Sequence, residues 1–243
     1  MELSRIARTQ EIGSKLLKAL LPPINRAGWP FILVFAVITA GLFAAWQPAG
    51  WVGVLLTLWC IYFFRDPSRV IPRRSGLMVS PADGLIQQIS LVIPPAEVGL
   101  GAQPLNRISI FMNVFDIHVN RIPIAGRISL LAYRPGKYFN ASLDKASKFN
   151  ECQCIRLSTN EGLLIGIVQI AGLIARRIKC DLMEDQIVET GERFGLIRFG
   201  SRVDVYLPSH ASTLVIEGQR VIGGESILAD FETEEKPRSG EIC

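Results

Sequence analysis

Residues 84–133 contain GLIQQISLVI (Gly84–Ile93), RISIFMN (Arg107–Asn113) and RISLLAY (Arg127–Tyr133), separated by Pro, Gly and Asn. Short β-branched runs bounded by turn formers are a strand pattern rather than a helix pattern. Working outward, the same punctuation encloses Cys154–Ser158, Leu163–Ile170, Arg202–Leu207, Thr213–Ile216 and Ser226–Asp230. This spacing predicts a mainly β (α+β) domain over residues 65–230. Pro135–Asn150 reads as an irregular loop with one helical turn, and Ile174–Lys179 suits a strand or a short helix equally. The polar stretch Phe231–Cys243 reads as a flexible tail.

The amino-terminal quarter has a different character. Residues 1–28 are basic and amphipathic, with Arg5, Arg8, Lys15, Lys18 and Arg26 against Glu2 and Glu11. From Trp29 to Phe64 there is no charged residue. Gln47-Pro48-Ala49-Gly50 divides that run into Trp29–Trp46 and Trp51–Phe64, about 27 Å and 21 Å long if helical. A full crossing takes about 30 Å, so a helical hairpin at 29–64, dipping into or just through a bilayer, fits better than two independent spans. Trp and Tyr residues near the segment ends suit interfacial anchoring. Basic residues flank both ends, Arg26 before and Arg65, Arg69, Arg73 and Arg74 after, which places both ends on the cytoplasmic side.

Mean hydropathy is +0.31, high for a plain soluble domain. The net charge of +4 over 243 residues is mild, and nothing interleaves aromatic with basic residues, so a nucleic-acid partner is not expected. Five cysteines with no C-x-x-C pair and only two histidines leave few candidate metal ligands; no metal is expected and the thiols read as reduced. Cys152 and Cys154, two apart, would share one face of a strand, poor geometry for a mutual disulfide.

Five clusters carry chemistry: Phe64–Pro67, Ser80-Pro81-Ala82-Asp83-Gly84, Asp116–Arg121, Gly191–Asp204, and Gly218–Val221 with Gly223-Gly224-Glu225. Alone, each has a plain reading. Asp83-Gly84 and Gly200-Ser201 are turn pairs, and His118 is an imidazole in an alternating segment. If extended, Asp116 and His118 share a face. His210 lies in no cluster and reads as a surface residue.

Taken in order, FFRDPSRVIP (Phe63–Pro72), SPADG (Ser80–Gly84), FMNVFDIHVNRIPIAG (Phe111–Gly126), KASKFNE (Lys145–Glu151), QIAGLIARRI (Gln169–Ile178) and RFGLIRFGSRVDVYLP (Arg193–Pro208) resemble the short-form phosphatidylserine decarboxylase proenzymes. The resemblance implies that Ser201 attacks the Gly200 carbonyl, that the chain parts there, and that Ser201 becomes a covalent pyruvoyl group. That group would condense with the amino group of phosphatidylserine and hold the electrons released with carbon dioxide. Chains 1–200 and 201–243 would stay associated at the cytoplasmic face of the cell (inner) membrane, and a homo-oligomer is left open. His118 is the candidate proton donor and Asp83 the residue that positions or activates the base for Ser201. Long-form relatives have a second histidine where this chain has Arg121, so their relay does not carry over intact. Gly218–Ala229 and SPADG are similar to the two halves of lipoyl-type barrel-sandwich domains, which implies such a core. Two alternatives remain: a non-enzymatic membrane adaptor with a lipoyl-like domain, and a pyruvoyl decarboxylase of another serine lipid.

Overall fold

A computed structural model of the chain describes residues 22–141, 149–172, 177–198, 200–209, 211–233, 235–236 and 238–241. The basic segment before residue 22, residues 142–148 of the loop expected at 135–150, the start of the 174–179 segment, and the expectations for His210 and Cys243 lie outside these residues. Two units divide at Ser68 and Arg69.

The first unit is a helical hairpin, α1 (Trp29–Ala45) and α2 (Gln47–Phe63). Its break is shorter than the sequence suggests. Trp46 alone is extended, at φ −163°, and Gln47–Gly50 form the first turn of α2. Pro48 suits that turn because a first-turn N–H has no helical partner to lose. A 3-10 turn at Arg26–Gly28 lengthens the first apolar helix to Arg26–Ala45, 20 residues containing an 18-residue stretch of mean hydropathy 2.0, enough by length and composition to cross a membrane. The second helix is shorter. Leu33, Val37 and Leu55 are exposed all around, an apolar surface with no polar face. Between the helices, Gly50 and Gly53 allow close approach: a Cβ at Gly53 would sit 2.7 Å from Thr39 Oγ1. Thr39 and Thr57 hydroxyls bond each other across that contact at 3.0 Å. The two chain ends are tied together, since Asn25 N–H donates to Phe64 O at 2.8 Å and Asp66 N–H to Pro23 O at 2.7 Å. Both ends therefore leave from the same end of the helical pair.

The second unit is mainly β, as the strand pattern implies. In chain order the strands are β1 (Leu77–Val79), β2 (Gly84–Val92), β3 (Leu105–Met112), β4 (Val119–Arg121), β5 (Gly126–Arg134), β6 (Cys152–Thr159) and β7 (Leu164–Ala171). They continue as β8 (Ile178–Cys180), β9 (Ile187–Val188), β10 (Arg193–Ile197), β11 (Ser201–Leu207), β12 (Ser212–Thr213), β13 (Arg220–Val221) and β14 (Ile227–Asp230). An eight-stranded sheet runs β13-β2-β3-β11-β7-β6-β5-β9, and two three-stranded sheets run β1-β14-β12 and β4-β10-β8. Neighbours pair antiparallel throughout. The undecided 174–179 segment ends in β8, and β1, β4, β9, β10 and β13 are strands that the apolar runs did not reveal. These are two to five residues long and lack room for a visible alternation.

Alternation sorts the large sheet into two faces. Ile108, Ile110 and Met112 of β3 and Val203, Val205 and Leu207 of β11 enter the main core, with Ile86, Ile155 and Ile167. On the other face, Tyr206, Val168, Ile170, Cys152 and Cys154 form a smaller cluster under Val98 and Leu100 of the β2–β3 loop. Both faces are covered, so every residue of β11 is buried. The Cys152 and Cys154 sulfurs lie 3.9 Å apart and both thiols are free. Beyond β14 the chain still makes contacts: Arg238 N–H donates to Thr213 O at 3.3 Å, and the Ser212 hydroxyl donates to Glu235 O.

Ile110 is fully buried where β3 packs between β2 and β11. Ile110→Ala should cost about 2–5 kcal/mol through lost burial and a cavity, read as a lower denaturant midpoint for the detergent-solubilised full chain.

Candidate active site

Strand pairing delivers the site. β4 pairs with β10 so that Val119 faces Leu196, and Ile197 N–H donates to His118 O at 3.2 Å. Four residues later the chain has left that sheet for the large one, where Ser201 pairs with Met112 on one side and Ala171 on the other. The connection must therefore turn sharply beside His118. Gly200 makes the turn at φ +68°, a left-handed conformation that glycine adopts without Cβ strain. Its N–H donates to His118 Nε2 at 3.2 Å.

The same ring has Nδ1 at 3.0 Å from Asp116 O. A carbonyl oxygen only accepts, so the bonding assigns the proton to Nδ1 and leaves a lone pair on Nε2 facing Gly200. Asp116 and His118 are thus joined through the main chain. Residues 113–116 turn instead of extending, and the Asp116 carboxylate accepts from Asn113 N–H at 2.9 Å and from the Arg220 guanidinium.

Ser201 is fully buried, its Oγ 3.9 Å from Met112 Sδ. Asn120 Nδ2 lies 3.8 Å from the same sulfur, and Gln169 Nε2 donates to Asn120 Oδ1 at 2.7 Å. Three polar side chains are thus withdrawn from water at the edge of an apolar core. Such placement costs stability unless bonded, and it marks a site more than a packing solution. The carbonyl oxygen of Gly200 lies against Gly172: a Cβ there would come within 2.0 Å of it. Asn150 fastens that region, donating from Nδ2 to Phe139 O and Ala171 O, each at 2.7 Å, and accepting Phe139 N–H at 2.9 Å. On the opposite face, Arg202 and Asp204 form a buried ion pair, with Arg202 Nη2 donating to Asp204 Oδ2 at 2.9 Å and Nε 2.8 Å from Oδ1.

Of the four residues singled out in the sequence, Ser201, Gly200 and His118 come together. Asp83 lies apart. Both its carboxylate oxygens accept from Arg69 Nη2, at 2.9 and 2.7 Å, and Oδ1 accepts Gly223 N–H at 2.8 Å. Among the described residues no hydrogen bond joins it to the other three. Burial pushes its carboxyl above the usual range, with Arg69 pulling the other way. Arg121, in place of a second histidine, donates to Gly191 O at 2.9 Å and braces the turn before β10. Sequence reasoning assigned no role to Met112, Asn120, Asn150, Gln169 or Gly172, although all lie within the quoted motifs. Their one legible signal was polarity at an inward strand position: Gln169 interrupts the apolar row of Ile165, Ile167 and Ala171 in β7.

Fold and site together define a mainly β domain whose buried serine opens a central strand directly after a left-handed glycine. The family profile described as phosphatidylserine decarboxylase matches residues 56–229. Three proteins named phosphatidylserine decarboxylase proenzyme are similar over nearly their whole lengths. That of Paramagnetospirillum magneticum is 56% identical over 227 residues, covering 93% of this chain and 95% of the relative. Those of Cereibacter sphaeroides and Nitrobacter winogradskyi are 54% and 55% identical, covering 93% and 95% of this chain and 97% and 93% of the relatives. The chain belongs to the phosphatidylserine decarboxylase family.

Arg69→Gln should leave the partly buried Asp83 without its cation, at a cost of about 1–3 kcal/mol near neutral pH. Asp83's folded-state pKa, already raised, rises further in the variant, so the deficit should shrink as pH falls through it and the carboxyl takes up a proton. Denaturant midpoints of parent and variant across acid to neutral pH test this; a deficit independent of pH would refute it.

Proposed function

We propose that this chain cuts its own backbone between Gly200 and Ser201 and then decarboxylates phosphatidylserine to phosphatidylethanolamine, using a pyruvoyl group derived from Ser201. The observation that carries the reading is the bond from Gly200 N–H to His118 Nε2 at 3.2 Å, which holds a basic nitrogen one peptide unit from the serine hydroxyl. The names of the relatives, proenzymes of a phosphatidylserine decarboxylase, support both halves.

In the cleavage step His118 takes the hydroxyl proton as Ser201 Oγ attacks the Gly200 carbonyl carbon. A nucleophile this weak needs such a base. The main-chain carbonyl of Asp116 steadies the imidazole throughout by holding its Nδ1–H. Gly172 keeps the attacked carbonyl in register because nothing but a hydrogen projects toward it. The peptide becomes an ester, and loss of the residue 201 α-proton expels Gly200 as a free carboxylate. One water then hydrolyses the dehydroalanine left at 201 to a ketone with release of ammonia, so that residue 201 heads a new chain. That chain stays in place because β11 is paired on both edges, with β3 and β7.

A pyruvoyl group fits position 201: it is small, uncharged and planar, and the serine it replaces is already packed beside Met112, Asn120 and Gln169. When present it supplies a carbonyl that accepts the electron pair left by departing carbon dioxide. His118, its ring anchored at Nδ1, then carries a proton to the substrate carbon from Nε2. One histidine serves both steps, since Arg121 is engaged with Gly191. Asp83 acts at a distance, holding the Gly223 turn and Arg69 in place. The apolar hairpin, flanked by basic residues, holds the domain at the cytoplasmic face of the cell membrane, where the serine headgroup is presented.

Intact-mass measurement of purified protein should find two chains, 1–200 and 201–243, the smaller with a blocked amino terminus; one full-length species in an active preparation would defeat the proposal. Ser201→Ala should remain whole and inactive. His118→Gln should slow processing by about 10²-fold or more. Gly172→Ala should also slow it about 10²-fold, through displacement of the attacked carbonyl, while the variant unfolds cooperatively; processing at the parent rate would remove Gly172 from the mechanism.

A further inference from the structure

On the far face of the large sheet, away from Ser201, lies a cavity of about 690 Å³ between the strands and the β2–β3 loop. Its floor is a cross-strand row: Ser90 of β2 pairs with Arg107 of β3, which pairs with Tyr206 of β11. Tyr206 lies five residues beyond Ser201, roughly 17 Å along the strand, and has the opposite facing. The cavity is therefore separate from the candidate active site.

The floor is built around a cation. Arg107 is only 7% exposed. Its Nη2 donates to Gln88 Oε1 at 2.6 Å and Ser90 Oγ at 3.1 Å, so neutral acceptors set the plane of the guanidinium. Burial pushes the Tyr206 phenol well up from its usual value, which keeps its O–H as a donor. A second guanidinium, Arg134, lines the cavity toward the mouth, bonded to Glu97 at 2.9 Å. Two guanidiniums against one carboxylate leave the lining net positive. Val92, Ile93 and Pro95 form an apolar wall beside these groups, and Ile93 is 62% exposed. A preoriented guanidinium, a phenol donor and an adjacent apolar wall match a phosphate oxyanion, the wall receiving whatever chain it carries.

We propose that this cavity is a second ligand site, which binds a phosphate group through Arg107 and Arg134. The phosphate is that of an anionic phospholipid or a free ion, the two sharing the same headgroup chemistry. The proposal does not depend on the chemistry at Ser201.

Calorimetric titration of the full chain in a zwitterionic detergent tests it, with three probes: dihexanoyl phosphatidylglycerol, dihexanoyl phosphatidylcholine and inorganic phosphate. Phosphatidylglycerol or inorganic phosphate should bind, and phosphatidylcholine should bind at least about tenfold more weakly. Arg107→Gln and Arg134→Gln should each weaken anion binding about tenfold, whereas Ser201→Ala should leave it unchanged. Tighter binding of the lipid than of inorganic phosphate identifies the lipid as the source, and equal binding identifies the free ion. If Arg107→Gln fails to fold, Arg134→Gln, at the mouth, decides alone. Failure of both anions to bind, equal binding of phosphatidylcholine, or parent-like binding by Arg134→Gln would overturn the site.

Discussion

Between Ile197 and Ser201 the chain passes from one sheet to another, and the architecture of the second unit converges on that transfer. Behind it, β10 is locked to β4 and β8; ahead, β11 is locked to β3 and β7. The connection is too short to bow outward and must bend within its own length. A left-handed residue is the cheapest way to bend it, and glycine takes that conformation with the smallest penalty. The pairing that forces the bend also carries His118 to it, because the residue before β4 lies opposite the end of β10. Turn, imidazole and serine are therefore consequences of one register.

That register explains the unusual neighbourhood of Ser201. A residue opening a central strand is paired on both edges and closed to solvent on both faces. The hydroxyl consequently meets Met112, Asn120 and Gln169 in place of water, and the preceding carbonyl meets Gly172. Low local polarizability makes each polar contact there worth more than it would be at a surface, and makes each misplaced group costlier. The far face of the sheet is organised differently. There the buried Arg202–Asp204 pair and the Arg107–Tyr206 row put charge under a loop, and the space left beneath it has chemistry of its own.

Much of this was legible in residue order. Period-two alternation disclosed the long strands, since residues such as Ile108, Ile110 and Met112 cannot face a core in any other conformation. The uncharged run from Trp29 to Phe64 announced a helical hairpin, although the break fell at Trp46 and not at the Pro-Gly turn, because proline is at ease in a helix's first turn. The short strands β4 and β10 were not legible. Three and five residues hold no countable period, yet these strands set the site.

Sequence alone determined the residue types that any such chemistry would need, a glycine–serine pair, a histidine in alternating context, and an apolar amino-terminal hairpin, because composition and local periodicity act within a few residues. Only the tertiary structure decided which of them meet. It brought His118, 82 positions earlier in the chain, onto the Gly200 amide. It assigned Asp83 to Arg69 and Gly223, and set Gly172 against the Gly200 carbonyl. Those pairings depend on long-range strand register, and register is settled by which apolar faces can be buried together across the whole sheet.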